Sequence, residues 1–264
     1  MSLPLRTRLR RSVALVVLAV TATAGTSVVA ATPAQATSTC AVNGSITQGK
    51  YWLNNNLWGR GSGSGWQCVW DAYTSGNTIG WGTNYDWTGQ SNSVKSYTSA
   101  VLGWHWGWKA TNTGLPVRLN ANRNVNTGWS FNVRHNGGGA MNVAYDLWLH
   151  TQSNPTWEHQ PSDEIMVWLY RANGAGPVGT RQATVNIAGT NWDLYRGNIG
   201  WNVFSFVRTS NTTSATLNLR DFTNNLISRG WVQNTKYLTS VQAGTEIFTG
   251  NGQIDTSSYY ANVQ

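Results

Sequence analysis

The chain has 264 residues and a formal net charge of +8, yet only 11% of it is charged, and it holds 28 glycines, 16 tryptophans and just three glutamates. Four arginines and no acidic residue fall in the first 36 positions, which leaves +4 on residues 37–264 with no Lys/Arg cluster, a pattern that excludes a nucleic-acid footprint. No stretch beyond residue 36 is long and apolar enough to span a bilayer, so no membrane partner is expected.

Residues 1–36 read as a signal peptide. Arg6, Arg8, Arg10 and Arg11 make a basic start, Ser12 to Ala31 is small and apolar, and Ala34-Gln35-Ala36 is a cleavage signal. The mature chain is expected to begin near Thr37, to be secreted, and to form one domain over residues 37–264. Cys40 and Cys68 are the only cysteines. An even count in an oxidising compartment predicts one disulfide, pinning the N-terminal strand. His105, His135, His150 and His159 are scattered without ligand spacing, so neither a metal nor a cofactor is expected.

Short runs of Val, Ile, Tyr, Trp and Phe alternate with turn signals such as Gly61-Ser62-Gly63-Ser64-Gly65, Ser75-Gly76-Asn77 and Gly250-Asn251-Gly252. That pattern predicts an all-β sandwich or jelly roll. The run Trp104-His105-Trp106-Gly107-Trp108 puts Trp104, Trp106 and Trp108 on one face if the strand continues, as a buried ladder in preference to an extra stacking strip for a ligand. In the strand at 142–149, Asn142, Ala144, Asp146 and Trp148 share a face; in the next, Glu164, Met166, Trp168 and Tyr170 do. Thr184–Ile187 and Asn191–Tyr195, joined through Ala188-Gly189-Thr190, read as a hairpin. One helix is predicted, with Leu219, Phe222 and Leu226 on one side and a stop at Arg229-Gly230. In the last polar–apolar strand, Gln242, Gly244, Glu246 and Phe248 point together.

Glu164 and Glu246 are therefore the informative residues. Carboxylates are almost never fully buried unless paired or working, and both lie in strand interiors. Glycosidic bonds are cleaved by a carboxylate pair, and sugar rings stack on flat aromatics, which this chain has in abundance. Glu158 sits in a polar loop and Asp163 alternates away from Glu164, so neither is assigned to the chemistry.

Six segments in order carry a family resemblance: Asn55-Asn56-Leu57-Trp58-Gly59, Ser93-Val94-Lys95-Ser96-Tyr97, Asn142-Val143-Ala144-Tyr145-Asp146, Glu164-Ile165-Met166-Val167-Trp168, Gly176-Pro177-Val178-Gly179 and Gly244-Thr245-Glu246. From Cys40 to the C-terminus the chain resembles glycoside hydrolase family 12, small secreted endo-β-1,4-glucanases. The resemblance implies a β-jelly-roll of two curved antiparallel sheets with a cleft on the concave one. It implies Glu164 as nucleophile, Glu246 as general acid/base, and Asp146 as the aspartate that hydrogen-bonds the nucleophile. It also implies Asn56, Trp58, Asn142, Met166, Trp168 and Phe248 as substrate-binding positions. Val42 and Asn43 occupy a stretch where many fungal members carry a tryptophan, so a far stacking subsite is expected to be missing. Ile247 stands where proline is common and is expected to alter the leaving-group side of the cleft.

The sequence thus predicts a retaining, cofactor-free endo-β-1,4-glucanase acting as a monomer on a β-glucan polysaccharide. Xyloglucan or mixed-linkage preference is the alternative within the family. A non-catalytic, lectin-like glycan binder is the alternative outside it.

Overall fold

The computed structural model describes residues 36–136 and 138–264. The proposed signal peptide thus lies, but for Ala36, outside the described residues. Two sheets pack face to face. The smaller has six strands in the order Ser38–Thr39, Gly63–Ser75, Thr78–Gly89, Gly250–Val263, Val125–Asn136 and Ser214–Asn218. The larger runs Thr180–Ile187, Thr190–Asn198, Asn202–Arg208, Asp163–Ala172, Met141–His150, Tyr237–Ile247, Ser96–His105, Tyr51–Asn56 and Gly44–Gln48. Two-residue strands, Trp108–Lys109 and Val117–Arg118, pair at its rim.

Pairing is antiparallel with one exception that the sequence did not predict: Asp163–Ala172 runs parallel to Asn202–Arg208. The chain leaves Asp163–Ala172 for the far edge of the sheet and returns as a three-stranded meander, whose last strand closes on Asp163–Ala172 in the same direction. The predicted hairpin is the first pair of that meander, with Ala188 and Gly189 at φ 52° and 72° in the tight turn.

The core lies between the sheets because every second residue of each strand is apolar and faces inward. Val143, Tyr145, Leu147, Leu149, Ile165, Val167, Val241 and Ala243 from the larger sheet are all buried there, against Trp81, Tyr85, Trp129 and Tyr259 from the smaller. Trp129 meets Tyr145 edge-on at 5.1 Å between ring centres, which ties the sheets at the level of Asp146. The predicted helix spans Arg220–Ser228, and its Phe222 packs edge-on against Trp192 and Phe206 at 5.0 and 5.1 Å. Cys40 and Cys68 form the expected disulfide, closing a loop 28 residues apart in sequence, worth roughly 3–4 kcal/mol if it acts by restricting the unfolded chain.

Candidate active site

The outward face of the larger sheet floors an open cleft of about 1400 Å³. Three neighbouring strands supply its centre, and alternation decides what each presents. Ala144, Asp146 and Trp148, then Glu164, Met166 and Trp168, and then Glu246 and Phe248 turn away from the core. Tyr170 does not follow its predicted companions. The register shifts between Val143 and Ala144, so that Val143 faces Tyr170 while Ala144 faces Trp168. This bulge turns Tyr170 onto the inter-sheet core.

Register places Glu164 opposite Trp148 and Asp146 opposite Met166 and Gln242, and Asn142 holds Glu246. Asp146 thus sits between the two glutamates along the central strand. The carboxyls converge closely enough to feel one another's charge. Burial, then the charge of Glu164, pushes Glu246 up to about 8, partly offset by a hydrogen bond from Asn142. Burial pushes Glu164 up to about 7, opposed by a hydrogen bond from the Trp201 indole, Nε1 to Oε2 at 2.7 Å. Burial, then the charges of Glu164 and Glu246, holds Asp146 well above the usual carboxylate range. Of the two glutamates, Glu164 loses its proton first.

The hydrogen bond expected from Asp146 to Glu164 has no counterpart at Oδ1, which is buried without a partner. The direct donor to Glu164 is Trp201. Asn142 is also corrected. It is fully buried and does not line the cleft. Its Nδ2 donates to Glu246 Oε2, and its Oδ1 accepts from the Glu246 backbone N–H at 3.0 Å. It carries Glu246 and does not reach a sugar.

The other predicted binding positions do line the cleft. Trp58 is 64% exposed on the rim, far more than a core tryptophan would be. It stands there because the adjacent Gly59 lies against the Val94 carbonyl, where a Cβ would come within 1.9 Å. Buried Lys95 braces the same rim, with Nζ donating to the Gln90 and Ser93 carbonyls. Asn56 is buried beside His105, with 3.3 Å between Nδ2 and Nε2. Met166, Trp168 and Phe248 form an apolar floor with Ala144 and Val207. The Trp168 indole N–H points at the Met166 sulfur, 3.5 Å away. Asn43 lines the cleft where the far tryptophan is absent. Ile247 instead points into the inter-sheet core, so the expectation that it alters the cleft wall does not hold. Asp163 is likewise turned from the cleft, paired with Lys236 and accepting from Asn202 at 3.0 Å.

The tryptophan run is not one ladder. The chain reverses at Trp106 and Gly107, with φ 44° and 91°, so strand alternation stops after His105. Trp104 is buried, whereas Trp106 and Trp108 line the cleft, the latter 72% exposed. Sequence reasoning put Trp148 on the Asp146 face without assigning it to the site, and gave no site role to His105 or Trp201. His105 lies 2.9 Å from Gln242 and is kept neutral by burial, with its pKa pushed down to about 4. Trp201 follows a turn, where periodicity carries no information about direction; the only signal was an aromatic next to Gly200.

Comparison with known proteins agrees with this geometry. Residues 49–264 match the family model for glycosyl hydrolase family 12. Endoglucanase S of Pectobacterium parmentieri is 42% identical over 223 residues, covering 81% of this chain and 82% of its own. Xyloglucan-specific endo-beta-1,4-glucanase A of Aspergillus aculeatus is 38% identical over 224 residues, covering 83% and 87%. Among solved structures, a native family 12 xyloglucanase from Bacillus licheniformis is 40% identical with a TM-score of 0.79, covering 86% of this chain and 100% of its own. Trichoderma harzianum endoglucanase 3 is 30% identical with a TM-score of 0.78, covering 88% and 99%. The chain belongs to glycosyl hydrolase family 12 and is a glycoside hydrolase built on a β-jelly-roll.

Proposed function

We propose that this chain is an exported, monomeric endo-β-1,4-glucanase that cleaves internal bonds of β-glucans with retention of configuration, Glu164 serving as nucleophile and Glu246 as acid/base. One observation carries the reading: a buried carboxyl and a half-buried one meet in the middle of an open cleft, and their surroundings separate them, an indole donor favouring charge on Glu164 and desolvation beside that charge keeping the proton on Glu246. In the first step Glu164 attacks the anomeric carbon while the bond to the leaving oxygen breaks and that oxygen takes the Glu246 proton. In the second, Glu246 takes a proton from water, whose oxygen displaces Glu164 from the same carbon. Burial and the two glutamates favour the protonated form of Asp146, so that it competes less with Glu164 for the positive charge developing on the sugar. Trp58 and Asn56 grip the chain away from the cleaved bond, and Met166 lies beneath it.

Export is supported by the basic, apolar leader of residues 1–36 and by the disulfide, and among the described residues no helix is long and apolar enough to cross a membrane. Relatives named for xyloglucan favour a second reading, preference for that branched glucan, and the exposed Trp108 rim offers surface for a side branch. Digestion of carboxymethylcellulose, barley β-glucan and xyloglucan side by side tests both. Viscosity falling ahead of reducing-end release, with β-anomers first seen by NMR, is expected. No cleavage of any of the three, with binding intact, would leave a lectin; α-anomers first would mean inversion.

A further inference from the structure

The Glu164 side of the cleft carries more aromatic structure than the sugar path needs. Trp201, whose N–H meets Glu164 Oε2 at 2.7 Å, is enclosed by two other tryptophans. Its ring centre lies 5.7 Å from Trp148 and 6.1 Å from Trp106, each at 61°, and Trp106 lies 6.4 Å from Trp148 at 65°. All three pairs are edge-to-face, so the triangle closes in the geometry that aromatic quadrupoles favour. Two of its corners are held from outside. Trp148 is the strand partner of Glu164 itself. Trp106 rests 5.7 Å from buried Trp104 and sits at φ 44°, strained for a bulky side chain. The next residue, Gly107, packs so close to Trp157 that a Cβ would stand 3.0 Å from that side chain's own.

We propose that Trp106 is a positioning residue for the nucleophile: with Trp148 it clamps the Trp201 indole so that its N–H stays on Glu164 Oε2, fixing the carboxylate and leaving Oε1 to attack. The proposal rests on Glu164 being the nucleophile. An indole N–H donates and never accepts, so it suits the ionised acid and gives nothing to a proton on Oε2. Glu246 has a different partner, an amide that both donates and accepts. The other ionisable groups facing Glu164 are Asp146 on the central strand, Glu246 on the strand beyond it and Tyr97 on the next, and each disfavours charge on its neighbours. From the parallel strand, Val203 is the residue opposite Glu164 and brings no charge. Trp201 is therefore the group that sets Glu164 apart, and its hold depends on a ring that must not tilt.

The test uses the whole mature enzyme and 2,4-dinitrophenyl β-cellobioside, whose leaving group needs no proton, so the acid limb of kcat/KM reports Glu164 in the free enzyme. Trp201→Phe keeps the triangle and removes the donor. It is expected to move the acid limb up by about one pH unit, a tenfold loss below the limb with little above it. Trp106→Ala is expected to move it the same way by about half as much, and Trp106→Phe, which restores an edge-to-face ring, to bring it back. Should Trp106→Ala not fold, as judged by its melting curve, Trp106→Leu against Trp106→Phe makes the same comparison between a flexible and an aromatic filler. A loss spread evenly over all pH values in the Trp106 variants, or confined to KM on long glucans, would make Trp106 a wall or a sugar contact and overturn the proposal. An unmoved limb in Trp201→Phe would overturn it as well. Labelling with a 2-deoxy-2-fluoro aryl cellobioside and peptide mapping separates the two ideas: a tag on Glu164 with unmoved limbs sinks only the clamp, whereas a tag elsewhere sinks the nucleophile assignment too.

Discussion

The two glutamates share a sheet face and a cleft, yet they are held in opposite ways. Glu164 is braced by an indole that only donates, from a turn outside its own strand pair. Glu246 is braced by Asn142 on the adjacent strand, which donates to its carboxyl and accepts from its backbone N–H. Burial alone would raise both alike. The difference comes from Glu164 ionising first, after which its charge makes ionisation of Glu246 harder. On the proposed assignment, one added donor and the order in which charge appears are what set a nucleophile apart from an acid between two identical side chains.

The sharpest break of that comparison is chemical. Glu164→Gln should lower hydrolysis of every substrate by about 10⁴-fold or more while oligosaccharide binding persists, because the amide keeps the shape but cannot attack. A matching loss of binding and melting temperature would mean that Glu164 is structural. Glu246→Ala should divide substrates instead. Glucan hydrolysis should fall by about 10²–10⁴-fold, whereas an aryl glycoside with an acidic phenol should still form the glycosyl ester. Added azide, which needs no base, should then restore turnover and yield the β-glycosyl azide; an α-azide would make the enzyme inverting.

Stability should sharpen the comparison next. Both carboxyls have folded-state pKa values raised above the unfolded value of 4.5, to about 7 and about 8. A raised carboxyl contributes stability below its unfolded pKa and loses it as pH rises through the folded one, so melting temperature should fall between pH 5 and 8. Glu246→Gln removes that loss and is expected to stabilise the fold at pH 9 by ~1–3 kcal/mol, with little change at pH 5, read from paired melting curves. An unchanged slope would show that Glu246 is better solvated than its surroundings suggest. The smallest effect should lie outside the pair. Trp58→Ala is expected to weaken oligosaccharide binding by roughly 1–2 kcal/mol. Calorimetry with long and short ligands checks this, since equal losses on both would place Trp58 next to the cleaved bond instead of along the chain path.

Much of this was readable in the chain because strands alternate. Placing Asp146, Glu164, Met166, Trp168 and Glu246 on one face needed only the period of two, and the rarity of glutamate drew attention to the two glutamates that line the cleft. The readings failed where the period fails. A one-residue bulge turned Tyr170 to the core, a left-handed turn at Trp106 split the tryptophan run, and Ile247 followed the inward register regardless of what the family carries there. Asn142 shows a different limit. Its face was predicted, but a face does not say whether a side chain reaches solvent or is covered by its neighbour.

By itself the sequence determined the fold class, the disulfide partners and the pair of carboxyls, because these follow from local periodicity, an even cysteine count and residue types that have no structural reason to be where they are. Only the tertiary structure decided which glutamate is braced by what. Trp201 and Glu164 lie 37 residues apart in the chain and on elements that meet only when a meander closes in parallel on the Glu164 strand. Hydrogen bonds and charge act across angstroms of space, and no pattern along the chain encodes which distant turn will supply the donor.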